Sequence, residues 1–215
     1  MDDLMETTGL QFFGAMMASI SHEIKNRMAI INEQAGLLSD FVKMAQNGRP
    51  LDHKRLESLA AAMKTQVVLT DGIIKNMNQF AHSADQIYKS VNLEDLLVLM
   101  GVLFKRKTES YGIHLESTGP EPAITITTAP FLLLNLIWHC LLPLFNAKQS
   151  DQKLILSCKT HNKRLLMLLK ISAKESLNGF VLSETAINLA EKIGATLTMG
   201  SDNNSLMIEL PQKRP

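Results

Sequence analysis

The chain has 215 residues, 46% of them hydrophobic, enough for one large domain or two small ones with a real core. Its 22 lysines and arginines balance 21 aspartates and glutamates, which excludes a global electrostatic pull toward nucleic acid or an anionic membrane. Cys140 and Cys158 lie in apolar stretches without metal-ligand spacing; they read as small hydrophobes in a reducing compartment, and no structural metal is expected.

The first residues, Met1 to Glu6, are acidic and lead into no export signal. From Leu10 to Ala45 there is no proline, and Phe13, Met17, Ile20, Ile24, Ile31, Leu38 and Val42 recur near a period of three and a half. That spacing predicts a long amphipathic helix with a coiled-coil-like seam. Gly48 can take the left-handed conformation that ends a helix, and Pro50 cannot continue one. Asp52 is then placed to cap a second helix. Leu56, Leu59, Met63, Val67, Thr70, Ile74, Met77 and Ala81 repeat the spacing to about His82, giving an antiparallel hairpin. A lone hairpin cannot close a core around its stripe, so two copies are expected to form a dimeric four-helix bundle. Packing of the stripe on a second domain of the same chain is the alternative.

After a polar stretch from Ser83 to Lys89 the pattern changes, and the domain boundary is drawn there: residues 1–86 for the hairpin, 87–215 for a second domain. Ser90 to Leu93 reads as a strand, Glu94 to Tyr111 as a helix, Ile113 to Glu116 and Ala123 to Thr127 as strands, and Pro130 to Asn146 as a buried helix. Lys153 to Cys158 with Arg164 to Ser172 reads as a hairpin, Ser183 to Ile193 as a helix, and Ala195 to Met199 with Ser205 to Leu210 as a closing hairpin. The expected fold class is α+β: a long helical hairpin followed by an α/β sandwich with a mixed sheet and helices on one face. The most apolar segment, Phe131 to Phe145, is interrupted by Asn135, His139 and Pro143 and is too short and polar to span a bilayer. No membrane insertion and a cytoplasmic location are therefore expected.

His22 lies two residues from both Ile20 and Ile24, so it points roughly 200° away from the seam, into solvent. Glu23 follows it, and Asn26, one turn on, shares its face. Ala15, Ala18, Ser19 and Ala29 leave that face flat, so that another protein can approach closely. A neutral imidazole is nucleophilic near pH 7 and can carry a phosphoryl group as a phosphoramidate. Taken singly the same residues are ordinary: a solvated histidine, a Glu23–Arg27 surface ion pair and helix-forming alanines.

The run Ser21-His22-Glu23-Ile24-Lys25-Asn26 resembles the phosphoacceptor box of sensor histidine kinases, His-Glu-x-x-Asn or Thr. That family joins a dimerisation hairpin to an α/β ATP-binding domain, and the resemblance covers nearly the whole chain from about Gln11. It implies that His22 is a phosphoryl acceptor, that Glu23 orients the ring and takes its proton, and that Asn26 positions a water or phosphate oxygen during hydrolysis of a partner's aspartyl phosphate. The partners it implies are response-regulator receiver domains.

The sequence departs from the family in ways that bear on ATP. Arg27 stands where a helix-bending proline is usual. The family's nucleotide pocket uses two asparagines four apart; the register taken against the Leu132 to Ala147 helix puts His139 and Pro143 there. The strand Leu165 to Ser172 runs into Ala173, Lys174 and Glu175 where an Asp-x-Gly-x-Gly turn is usual, and Gly179 is the only glycine between Pro120 and Ile193. No cofactor is therefore expected, and the second domain reads as a degenerate ATP-binding domain. The whole then resembles histidine phosphotransferases derived from histidine kinases, passing phosphate between receivers at His22 without ATP. The alternatives are an active kinase with a divergent ATP site, and a pseudokinase that binds or dephosphorylates a response regulator.

Overall fold

A computed structural model of the chain describes residues 2–118, 124–145, 152–161, 164–172, 182–201 and 204–211. Helix α1 (Asp2–Gln46) is 45 residues long and starts about two to three turns before the apolar repeat. In that added stretch Thr8, a polar residue the repeat does not count, is buried. The helix ends in a two-bond cap: Gly48 has φ 79°, its N–H donates to the Ala45 carbonyl at 3.0 Å, and the Arg49 N–H donates to the Met44 carbonyl at 3.1 Å. Helix α2 (His53–Ala81) starts from Asp52, whose Oδ1 accepts from the Lys54 and Arg55 N–H groups at 3.0 and 3.3 Å.

Packing divides the chain elsewhere than the change of pattern at residue 86 does. One compact unit is residues 17–78; the other joins residues 1–16 to 79–215, so the base of the hairpin belongs with the α/β elements.

Within residues 17–78 two neighbouring stripes can be distinguished. Ile20, Thr70 and Ile73 are buried, and Arg27 hydrogen-bonds Gln66 from helix to helix. Met28, Leu38, Val42, Val67 and Ile74 remain 37 to 55% exposed. The single seam expected from the apolar period is therefore two adjacent stripes, one closed by the chain's own second helix and one uncovered in a single chain.

In the other unit a short 3-10 turn (His82–Ala84) leads to β1 (Lys89–Asn92), which pairs antiparallel with β3 (Thr125–Thr128). Helix α3 (Leu93–Ser110) is capped by the Asn92 side chain, which accepts the Glu94 N–H at 2.8 Å. The main sheet has the order β2 (Ile113–Thr118), β4 (Gln152–His161), β5 (Arg164–Ser172), β7 (Ser205–Leu210), β6 (Thr196–Met199). β2 and β4 are parallel and the remaining pairs antiparallel, so the sheet is mixed. Alternation sets its buried face: Leu154 and Leu156 of β4, Leu169 and Ile171 of β5, and Leu206, Ile208 and Leu210 of β7 are buried, while Lys153, Lys159 and Lys170 are exposed. Helices α4 (Pro130–Phe145) and α5 (Glu184–Ile193) pack on each other and complete the core. Ser183 caps α5 at its start and Gly194, at φ 68°, ends it.

Aromatic rings tie the hairpin base to this core. Phe12 is 1% exposed and has its ring centroid 5.6 Å from Phe80, 5.6 Å from Phe131 and 6.2 Å from Trp138. Trp138 in turn meets Phe104 at 5.4 Å and Phe145 at 5.5 Å. Among the described residues no helix is long and apolar enough to cross a membrane.

Candidate functional site

The burial pattern of α1 dictates what can act there. Met16 and Ile20 turn inward, which leaves His22 and Asn26 exposed one turn apart, with Ala15, Ala18 and Ala29 exposed around them. Glu23 is half-buried and lies at the edge of this face nearer the buried stripe. The three residues expected from sequence thus fall as two exposed groups and one partly enclosed carboxylate.

The structure adds two residues that the sequence did not single out for chemistry. The Arg27 Nη2 lies 3.9 Å from the Glu23 Oε1, while its Nη1 donates to the Gln66 Oε1 on α2 at 3.2 Å. The Thr70 hydroxyl donates to the Gln66 carbonyl at 2.8 Å, so the α2 end of this chain of contacts is itself tied down. Only an arginine interrupting an apolar repeat signalled it; its partner, 39 residues away, left no mark in the sequence.

On α4, His139 is half-buried, and that burial pushes its imidazole below the usual histidine range. Pro143 lies inside the helix and offers no amide. Asn135 is wholly buried, and among the described residues neither its Oδ1 nor its Nδ2 has a hydrogen-bond partner. It precedes His139 by four residues on the same helix. The signal was available in the sequence as an asparagine flanked by leucines. Asn146, Ala173, Lys174, Glu175 and Gly179, which bear on the rest of a nucleotide pocket, lie outside the described residues. Burial raises the thiols of Cys140 and Cys158 to about 12, so both are protonated packing groups at neutral pH. Among the described residues no three His, Cys, Asp or Glu side chains converge as a metal site would require.

No protein-family model matches the chain, and no curated protein matches it. Solved structures do. The Acinetobacter baumannii histidine kinase AdeS is 9% identical, with 90% of this chain and 98% of that chain covered and a TM-score of 0.48. The histidine kinase ThkA, in complex with the response regulator TrrA, is 14% identical over 95% of this chain and 63% of that chain, with a TM-score of 0.47. A bacterial phosphotransferase is 14% identical over 94% of this chain and 96% of that chain, with a TM-score of 0.46.

Proposed function

We propose that the chain is a cytoplasmic, homodimeric phosphorelay protein of two-component signalling, a histidine phosphotransferase that carries phosphate on His22 and needs no nucleotide. The observation that supports this reading best is the exposed imidazole of His22 with the Asn26 amide one turn away, on a face of small residues. A ring nitrogen attacks the phosphorus of a receiver's aspartyl phosphate, the acyl P–O bond breaks, and the receiver's carboxylate leaves with the electron pair. The ring sheds the proton of its other nitrogen, which Glu23 takes. The reverse sequence delivers the phosphoryl group to a second receiver, with no change in oxidation state. Asn26 holds a water or a phosphate oxygen when a receiver's aspartyl phosphate is hydrolysed instead.

The uncovered stripe of Met28, Leu38, Val42, Val67 and Ile74 supports a homodimer, because a second copy closes it as a four-helix bundle. The α/β unit is read as a degenerate ATP-binding domain kept for packing: it has too few glycines to cradle phosphates, and a partly buried histidine where a pocket amide is needed.

The test is incubation with a receiver domain carrying labelled aspartyl phosphate. Label should pass to the wild-type chain and be absent from His22→Gln, with fold and dimer unchanged, since exposed side chains contribute little to stability. Asn26→Ala should still be labelled but should slow dephosphorylation of the receiver. Label retained in His22→Gln, or robust incorporation of phosphate from ATP by the purified chain alone, would overturn the proposal.

A further inference from the structure

We infer that Arg27 is a positioning residue for transfer at His22, acting through Glu23 and anchored on α2 by Gln66. The inference rests on the acceptor role proposed for His22 and goes beyond it, because neither Arg27 nor Gln66 belongs to the His-Glu-x-x-Asn box.

An ion pair between Glu23 and Arg27 at i, i+4 is commonplace when both side chains are free in solvent. This pair differs in two respects. The Arg27 and Glu23 side chains are only 31% and 39% exposed, whereas the hairpin's other ion pairs, Lys43–Asp40, Arg55–Asp52 and Lys75–Asp71, are all 56% exposed or more. Its guanidinium also spans the hairpin: one nitrogen faces Glu23 and another donates to the Gln66 side chain, on a turn of α2 where Thr70 bonds the Gln66 carbonyl. A planar fork with two nitrogens engaged on different elements fixes direction as well as charge, which a single ammonium cannot do. The carboxylate beside the acceptor is thereby held from the opposite helix.

The consequence is chemical. Glu23 receives the ring proton of His22 as the new N–P bond forms, so its charge and direction at that moment set the rate. Arg27 keeps the carboxylate aimed, and Gln66 keeps Arg27 from swinging into solvent.

The experiment uses phosphoramidate as the donor, so that docking of a receiver does not enter the readout. The P–N bond of phosphoramidate breaks, ammonia leaves, and the phosphoryl group bonds to His22; its appearance is followed by phosphorus NMR on the full chain. Arg27→Met should slow labelling about tenfold, a fraction of the effect of a general base itself. Arg27→Lys should recover only a minor part of the rate, because an ammonium restores the cation but not the fork, and Gln66→Leu should fall between wild type and Arg27→Met. In a Glu23→Gln background, Arg27→Met should change the rate by less than about twofold, because residues acting through one another are not additive.

A tenfold loss from Arg27→Met in both backgrounds would show that Arg27 supports only the fold and would overturn the inference. So would wild-type rates in Arg27→Met. Absence of label on His22 in the wild-type chain would instead sink the acceptor reading, which keeps the two failures distinct.

Discussion

In residues 17–78 only Ile20, Thr70 and Ile73 are buried, whereas α4 alone buries eleven of its sixteen residues. Both stretches are helical, but the hairpin offers each helix one neighbour and α4 is surrounded. Helices draw most of their stability from packing rather than propensity, so the first arrangement is incomplete in a single chain and the second is not. The stretch that carries the exposed His22 and Asn26 is thus the one with least core of its own, while the α/β unit supplies a core to which the hairpin base is fixed.

The most forceful way to test that contrast is to remove a ring from the α/β core. Phe104 is fully buried between Phe12 and Trp138, so Phe104→Ala should cost about 3 to 5 kcal/mol, read as a fall in the denaturation midpoint. A much smaller loss would mean that the core relaxes around the cavity. On the hairpin the sensitive feature is the uncovered stripe. Val42→Lys together with Val67→Lys should leave the α/β unit folded yet weaken self-association about a hundredfold, roughly 3 kcal/mol, measured by sedimentation. An unchanged dimer would remove the stripe from the interface.

Smaller effects sharpen the comparison. Asp52→Ala deletes the side-chain cap of α2 and should cost about 1 kcal/mol, detected in hydrogen exchange confined to the first turns of that helix. In the α/β unit His139 should confer a slight acid sensitivity. Burial lowers its folded-state pKa, so as pH falls through about 6.5 the unfolded chain takes up the proton first, and stability present above that pH is lost below it. His139→Gln should flatten the stability profile between about pH 7 and 5; an identical slope in the variant would assign the acid loss to other groups.

Much of this architecture is legible in the residues because it is local. Gly48 and Asp52 mark the turn between α1 and α2, short apolar runs mark β5 and β7 at their observed limits, and the offset of His22 from Ile20 and Ile24 foretells its exposure. What stays hidden depends on distant partners. A period near three and a half cannot say which of two adjacent stripes meets the chain's own second helix, so it merges Leu38 and Val67 with Ile20 into one seam. Arg27 looks like half of a surface pair because Gln66 is 39 residues away. Asn135 shows in the sequence as a break in a leucine-rich run, but nothing there tells that its amide is buried without a partner among the described residues. The boundary at residue 86 follows composition, whereas packing follows Phe12 and Phe80 into the neighbouring core.

That aromatic junction also bears on how the chain is made. Phe131 and Trp138, against which Phe12 packs, leave the ribosome more than a hundred residues after it. At roughly 5 to 20 residues per second the interval is about 6 to 24 seconds, during which the base of α1 lacks these two partners and its apolar side chains are open to other chains. Contacts so distant in sequence close late and slowly, so the hairpin base is where chaperones should engage the nascent protein.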